Sequence, residues 1–427
     1  MIHKKWLANK TIKNAGWIIA GKIAQMLINL FVGLLTARYL GPSNFGLVNY
    51  AAAYTGFFNA FCTLGITSIL VKEFISNPEK EGEILGTSLL LRAVSSFLSA
   101  VVIVCVVINV DADEPTTILV VALSSIGLLF RAFEVFNYWF QSRLQSRVTA
   151  VVSLIAYGVM AAYKVVLLIT GRNVVWFAFA TSVDYICIGA MLLLAYRKHG
   201  GRKLRVSLDY GRDLLSRSRY FILPSLMVAI YAQTDKFMLK QMLGDAQIGY
   251  YSTAVSLSSV WCFVLQAIID SVYPSIMEAY GKDERLFARR NKQLYAIIFY
   301  ISLFVSVLFT ILAEWVVCLL YGEAYLPAAA PLRVITWYTA FSYLGVARNA
   351  WIVCKDRQKY LLPVYGLSAI SNVVLNLLLI PKLGTVGAAA ASLAAQIMTT
   401  MVFPFLIPDL RENSALMVEA ITLKDIR

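Results

Sequence analysis

Several cations stand inside apolar stretches of this chain, where hydrocarbon-like surroundings would not solvate them. Lys22, Gln25, Asn29, Gly33 and Thr36 follow one another at spacings of 3, 4, 4 and 3, which places them on one face of a helix. Lys164 and Lys236 interrupt apolar runs in the same way, and Arg92, Arg131 and Arg348 lie nearer the ends of theirs. A charge at the centre of a bilayer costs roughly 2.5–3.5 kcal/mol on insertion scales, so a buried cation needs a counter-charge or a wet cavity. Cations gathered around such a cavity would hold an anionic group. Lys22, Gln25, Asn29, Arg92, Arg131, Lys164, Lys236 and Arg348 are therefore the candidate substrate-binding residues, and Glu134, Asp184 and Asp235 are the candidate ion-coupling carboxylates.

Each charge also has a plainer reading. The long side chains of Arg92, Arg131 and Arg348 can extend to the headgroups, and Arg131 and Glu134, three residues apart, can pair with each other. Arg333 reads as an interfacial anchor. Asp235 and Lys236 are neighbours pointing about 100° apart on a helix, so at least one needs a partner elsewhere. Asp184 suits a neutral acid, a cation site or a structural hydrogen bond. Other chemistry has no home: the six cysteines are scattered, the two histidines are His3 and His199, and no metal-ligand spacing, redox pair, phosphate loop or GxSxG motif occurs. No catalytic residue, metal or cofactor is expected, and the chain reads as a non-enzyme.

The elements that position these residues follow from composition. Of the 427 residues 59% are apolar and only 15% charged, with a mean hydropathy of +0.70, far from a soluble domain. Apolar runs long enough to cross roughly 30 Å of hydrocarbon as helix recur along the chain. Lipid cannot satisfy free backbone amides, and the alternating pattern of barrel strands is absent, so the expected fold is all-α and membrane-integral. Twelve spans are expected, at 14–39, 43–70, 84–109, 116–140, 148–170, 174–196, 218–241, 247–274, 293–313, 327–354, 360–380 and 384–408. The first resembles a signal peptide in its basic start, but it is long, polar-striped and without a small-x-small cleavage site, so it reads as retained. Most of the 38 basic residues fall in the termini and alternate loops, whereas the opposite loops hold only Arg38, Arg172, Lys240 and Lys382. The positive-inside rule then puts both termini in the cytoplasm. The net charge of +14 is mostly topological and implies no nucleic-acid partner. The basic block from Arg197 to Arg219 reads as a solvated link near anionic headgroups.

The chain also repeats itself. LGPSNFG, Leu40 to Gly46, returns as LGDAQIG, Leu243 to Gly249, within a longer match at an offset of 203. NYWFQSRLQSR, Asn137 to Arg147, returns as NAWIVCKDRQK, Asn349 to Lys359, at an offset of 212. Two six-helix bundles related by a pseudo-two-fold axis along the membrane normal are expected, with a site at their interface near the midplane. Their limits are 1–200 and 218–410, joined by a cytoplasmic linker, 201–217, and followed by a cytoplasmic tail, 411–427. In the repeated turn Gly41 or Gly244 ends one helix, Ser43 or Asp245 caps the next, and Gly46 or Gly249 permits close packing.

ARYLGPSNFGLVNYAAA, TDKFMLKQMLGDAQIGYYSTAVSLS, LLYGEAYLPAAAPLRVITW and IPKLGTVGAAAASLAAQ together resemble the polysaccharide-biosynthesis flippases of bacteria, the Wzx or O-antigen exporter family. That family belongs to the superfamily of multidrug extruders, oligosaccharidyl-lipid flippases and peptidoglycan-precursor flippases. The resemblance implies passage of an undecaprenyl-pyrophosphate-linked oligosaccharide, an O-antigen or similar repeat unit, from the inner to the outer leaflet of the bacterial cytoplasmic (inner) membrane by alternating access. It also implies as partners the polyprenyl-pyrophosphate-linked oligosaccharide, membrane lipids, and a polymerase and chain-length regulator of the same pathway. Alternatives are a drug or metabolite/cation antiporter of the same superfamily, a membrane enzyme of polysaccharide assembly, and a scaffold.

Overall fold

The computed structural model describes the backbone of residues 2–424, and side chains from Gly21 onward except those of Lys22, Ile23, Ser68, Tyr220 and Phe221. The expected role of Lys22 thus lies outside the described side chains. Among the described residues the regular structure is helical throughout, with no strand. The helices are α1 (Ile2–Thr63), α2 (Thr67–Ser76), α3 (Glu81–Val110), α4 (Pro115–Arg131), α5 (Val135–Ser142), α6 (Ser146–Ile169), α7 (Val174–Lys198), α8 (Leu208–Leu243), α9 (Asp245–Ser259), α10 (Cys262–Ala279), α11 (Glu284–Tyr321), α12 (Ala329–Ala347), α13 (Asn349–Cys354), α14 (Leu361–Ile397), α15 (Phe403–Leu406) and α16 (Pro408–Ile421).

Helix length converts this order into crossings. The 40 residues of Ala24–Thr63 and the 49 of Gln358–Leu406 run about 60 Å and about 70 Å at 1.5 Å per residue, enough for two crossings each. They bend at Gly41 and Gly384, whose backbones leave the helical region. α3, α4 with α5, α6, α7 and α11 are single apolar crossings, and α9 with α10 makes a further one bent by 40°. The more polar α8, and α12 with α13, bring the total to twelve. Apolar side chains such as Phe31, Ile169, Phe304, Ile311 and Ile370 are exposed, as lipid-facing surface requires. The protein is a multi-pass membrane protein.

Contacts divide the chain into two compact units, residues 1–40 with 47–229, and residues 41–46 with 230–427. In the first, α4 packs along α3 and α7, α6 lies on α7, and the core gathers on Trp139, Phe136, Phe140, Leu192 and Tyr196. In the second, α12 is surrounded by α9, α11 and α14, and the core gathers on Trp351, Ile276, Phe287, Leu294 and Leu344. Residues 408–421 form a helix on α11: Leu410 and Met417 are buried, Asn413 donates to the Tyr295 hydroxyl (2.7 Å), and Lys292 pairs with Glu419 (3.2 Å).

The repeat is visible in the backbone of each unit. Leu144 and Asp356, 212 residues apart, share a positive φ of 54° and 52°. Around them Gln145 N donates to Phe140 O (2.9 Å) and Arg357 N donates to Ile352 O (3.0 Å). The cation one residue earlier reaches a glutamate in both units, Arg143 to Glu81 and Lys355 to Glu284. Gly41 (φ 70°, ψ 171°) and Gly244 (φ 88°, ψ −179°) share a conformation open only to glycine. Within the second unit Gly46 and Gly249 let the two repeated turns meet backbone to backbone: a Cβ on Gly46 would lie 1.9 Å from Asp245 O, and one on Gly249 2.1 Å from Pro42 O. Asp245 does not cap. Gly244 takes the cap position, and the Asp245 carboxylate accepts from Lys240 Nζ at 2.7 Å, because a first-turn aspartate already gains from the helix dipole and the buried lysine needs a counter-charge.

The basic segment after α7 does not run free. Its backbone lies against the first turns of α3, where Gly82 and Gly86 leave room: a Cβ there would fall 2.3 Å from Lys203 O and 2.2 Å from Arg205 O. Arg205 N donates to Gly82 O (2.9 Å), and Glu73 accepts from Arg217 Nη1 (2.6 Å) and Tyr210 Oη (3.1 Å). Burial pushes the Glu73 carboxyl up, but the Arg217 and Tyr210 hydrogen bonds and the Arg217 charge outweigh it and hold the group below its usual value.

Two expectations follow. Gly46→Ala and Gly249→Ala should each lower the melting temperature in detergent by about 5 °C or more, whereas Gly366→Ala, with nothing within 4 Å, should hold or raise it; equal melting of all three would remove the close approach. A depressed folded-state pKa at Glu73 stabilises docking above the unfolded value of about 4.3 and loses that contribution as pH falls through the folded value. Hydrogen exchange at the Arg205 amide should therefore speed up in Glu73→Gln at neutral pH, and the difference from wild type should vanish in acid.

Candidate functional site

In the first unit, α3 places Arg92 and the end of α4 places Arg131. The chain then tightens into a 3-10 turn, Ala132–Glu134, so the carboxylate three residues on swings under both guanidiniums. Glu134 Oε2 accepts from Arg92 Nη2 and Oε1 from Arg131 Nε, each at 3.3 Å. Arg131 also lies 4.9 Å from the centre of the Tyr185 ring, a cation–π distance. Arg92 is fully buried, and its Nε and Nη1 find no hydrogen-bond partner among the described residues. Two guanidiniums share one carboxylate, so the cluster keeps an unbalanced positive charge and two buried donors.

A second group surrounds a cavity of about 80 Å³ lined by Asn29, Tyr157, Lys164, Thr181 and Asp184, from α1, α6 and α7, with room for a few waters. Asp184 Oδ1 is buried without a hydrogen-bond partner among the described residues, and Lys164 supplies the opposite charge. Gln25 donates to the Tyr157 hydroxyl, which joins the α1 stripe to the cavity wall. Asn29, Lys164 and Asp184 thus come together, with Gln25 one hydrogen bond away; Arg92, Arg131 and Glu134 form a separate cluster.

In the second unit Asp235, on α8, is buried at the meeting of α8, α9 and α14. It accepts from Asn376 Nδ2 (2.7 Å), Asn372 Nδ2 (3.2 Å), the Tyr251 hydroxyl and the Ser392 hydroxyl. Four neutral donors satisfy it. Asn376 Oδ1, beside it, is a buried acceptor with no partner among the described residues. The carboxylate, the open Asn376 Oδ1 and the Tyr251 and Ser392 hydroxyls gather oxygens of the kind that a hard cation takes. Lys236 is half-buried and forms no ion pair among the described residues. Arg348 is buried at the break between α12 and α13, and its Nη1 donates to Thr399 O (3.3 Å). That carbonyl belongs to a π-helical turn, Met398–Val402, whose shifted hydrogen bonding leaves it to accept. No carboxylate pairs with Arg348 among the described residues.

Sequence reasoning missed Tyr157, Tyr185, Tyr251, Asn372, Asn376 and Ser392. The asparagines carried a signal: two, four apart in an apolar span, share a helical face and mark a polar partner opposite. The tyrosines carried none among 23. Among the described residues no three His, Cys, Asp or Glu side chains gather as metal ligands.

Comparison with known proteins bears on the fold and the family. The chain is 20% identical over 377 residues, 85% of its length and 76% of the relative's, to a protein of Haloferax volcanii described as a probable low-salt glycan biosynthesis flippase, Agl15. Its fold is similar to that of the lipid II flippase MurJ in an inward closed conformation, with a TM-score of 0.71 and 14% identity over 95% of this chain and 93% of that one. It is equally similar to an inward-facing multidrug resistance MATE family transporter of the MOP superfamily, with a TM-score of 0.70 and 16% identity over 94% and 99%. Residues 11–280 match the sequence profile of the polysaccharide biosynthesis protein family, and the chain, helical and membrane-spanning as that match requires, belongs to it.

Proposed function

We propose that the protein is a flippase that moves an undecaprenyl-pyrophosphate-linked oligosaccharide, an O-antigen or similar repeat unit, from the inner to the outer leaflet of a bacterial cytoplasmic membrane by alternating access. The observation that carries this reading is the Arg92–Glu134–Arg131 cluster, where one carboxylate serves two guanidiniums and two buried donors stay open. A pyrophosphate supplies acceptor oxygens and the missing negative charge, and guanidinium is suited to phosphate. Lys236 and Arg348 are further cations without an ion pair among the described residues, Lys164 stands opposite Asp184 in the cavity, and Asn29 and Gln25 offer amide groups to sugar hydroxyls. Family membership and the Haloferax relative support the class of cargo. In this reading both termini are cytoplasmic, and the pathway's polymerase and chain-length regulator act on the delivered product. Asp235 is the coupling carboxylate, its cradle exchanging a proton or a cation as transport proceeds, with Asp184 and Glu134 as lesser candidates.

A second reading, a cation-coupled antiporter for drugs or metabolites, is favoured by the Asp235 cradle, which needs no anionic cargo, and by the MATE-like fold.

The readings separate in proteoliposomes. Arg92→Gln and Arg131→Gln should each slow transfer of a lipid-linked oligosaccharide by about tenfold or more, the scale of one charged hydrogen bond, with insertion unchanged; full activity in both would sink the flippase mechanism. Asp235→Asn should abolish the response to an imposed sodium or proton gradient, and a variant that still follows the gradient would dismiss Asp235 as the coupling group.

A further inference from the structure

One cavity of the first unit belongs to neither charge cluster. It is a groove of about 290 Å³ between α3 and the start of α8, walled by Thr87, Leu90, Leu91, Val206, Leu208 and Leu215. Its volume falls at the small end of ligand pockets, roughly 300–1,000 Å³, which suits a section of one hydrocarbon chain better than a sugar. The docked segment makes it. Thr87 Oγ1 accepts from Ser207 N (3.0 Å), Arg205 N donates to Gly82 O, and Gly211 faces Thr87 and Leu91 with no side chain of its own. The segment is thus hydrogen-bonded to α3 along this wall.

One wall residue is charged. Arg212 lines the groove and forms no ion pair among the described residues. The chain just before it, Arg202, Lys203 and Arg205, is exposed and basic, and the nearby Asp213 is already taken by Arg217 at 2.7 Å; Asp209 is the remaining exposed acid. Apolar residues alternate with these cations and are open: Val206 is 54% exposed and Leu208 82%. Exposed apolar side chains interleaved with cations, at the end of the unit where Arg217 meets Glu73, Arg202 the Glu79 main-chain carbonyl and Arg143 Glu81, match the acyl–headgroup boundary of an anionic leaflet.

We propose that this groove is a binding site for one anionic glycerophospholipid, an acyl chain lying between α3 and α8 and its phosphate on Arg212. The occupant is distinct from the transported cargo. Bound there, the lipid ties the docked segment to the leaflet, so that the first turns of α8 move with the membrane surface.

The test uses the full-length protein, stripped of lipid in neutral detergent and titrated with dioleoylphosphatidylglycerol or dioleoylphosphatidylcholine, with bound lipid counted by native mass spectrometry. The first phosphatidylglycerol should bind about fivefold more tightly than phosphatidylcholine, the scale of one cation at an anionic surface. Arg212→Gln, at an exposed position, should erase that preference, and Leu91→Trp, which fills the groove, should remove the first bound lipid of either kind. Equal retention of both lipids by the wild type, or an unchanged preference in Arg212→Gln, overturns the proposal whether or not the tryptophan variant folds. Displacement of phosphatidylglycerol by undecaprenyl phosphate at equal concentration also overturns it, because the groove then belongs to a prenyl tail.

Discussion

Hydrocarbon offers no hydrogen bonds, so a charge carried into it must be satisfied by the helices around it or by what those helices enclose. The two units meet this constraint in different ways. In the second, Asp235 is saturated by two asparagines, a tyrosine and a serine. In the first, Arg92 and Arg131 divide a single carboxylate. A saturated carboxylate can take up a proton or a cation only by giving up one of its donors. An under-served guanidinium keeps donors that an acceptor could fill. The contrast separates the two clusters: in one a carboxylate is shared by two guanidiniums, in the other a carboxylate is cradled by neutral donors.

Holding these groups in place requires backbones that approach more closely than side chains allow. Gly46 and Gly249 do this where the repeated turns meet, and Gly82 and Gly86 do it where the basic segment lies against α3. Gly41 and Gly244 supply a conformation that no other residue adopts readily, so the turn before each second helix has the same geometry twice. Duplication copied the frame and one ion pair without copying the charges of the two clusters. Arg143 with Glu81 has its counterpart in Lys355 with Glu284, yet Arg92, Arg131 and Asp235 have no charged equivalents at the matching offsets. The repeat preserved what the bundle needs to fold and left the buried polar positions to diverge.

The breaks in the helices are part of the same economy of hydrogen bonds. The 3-10 turn after Arg131 aims Glu134, and the π-helical turn at Met398–Val402 exposes the Thr399 carbonyl that meets Arg348. Each irregular turn thus sets an acceptor against a buried guanidinium, a side-chain carboxylate at the first and a main-chain carbonyl at the second.

Sequence alone determined the solvent, the element type, the span order and the duplication, because hydropathy and the period of a helix are local and the repeated turn is written out in residues. It also marked Arg92, Arg131, Lys164, Asp184 and Asp235, since a charge in an apolar run is conspicuous wherever the run ends up. Which charges meet was not legible. Glu134 lies three residues from Arg131, and that pairing could be read from spacing; its second partner, Arg92, is 42 residues away. Asp235 finds Asn372, Asn376 and Ser392 more than a hundred residues on. The basic segment reads as solvated because its composition is polar, and only the glycines of α3 turn it into a packed wall. Partners brought together by packing depend on how helices from distant parts of the chain are laid side by side, and that placement is decided by the whole bundle's need to bury polar groups together, which no single stretch of sequence records.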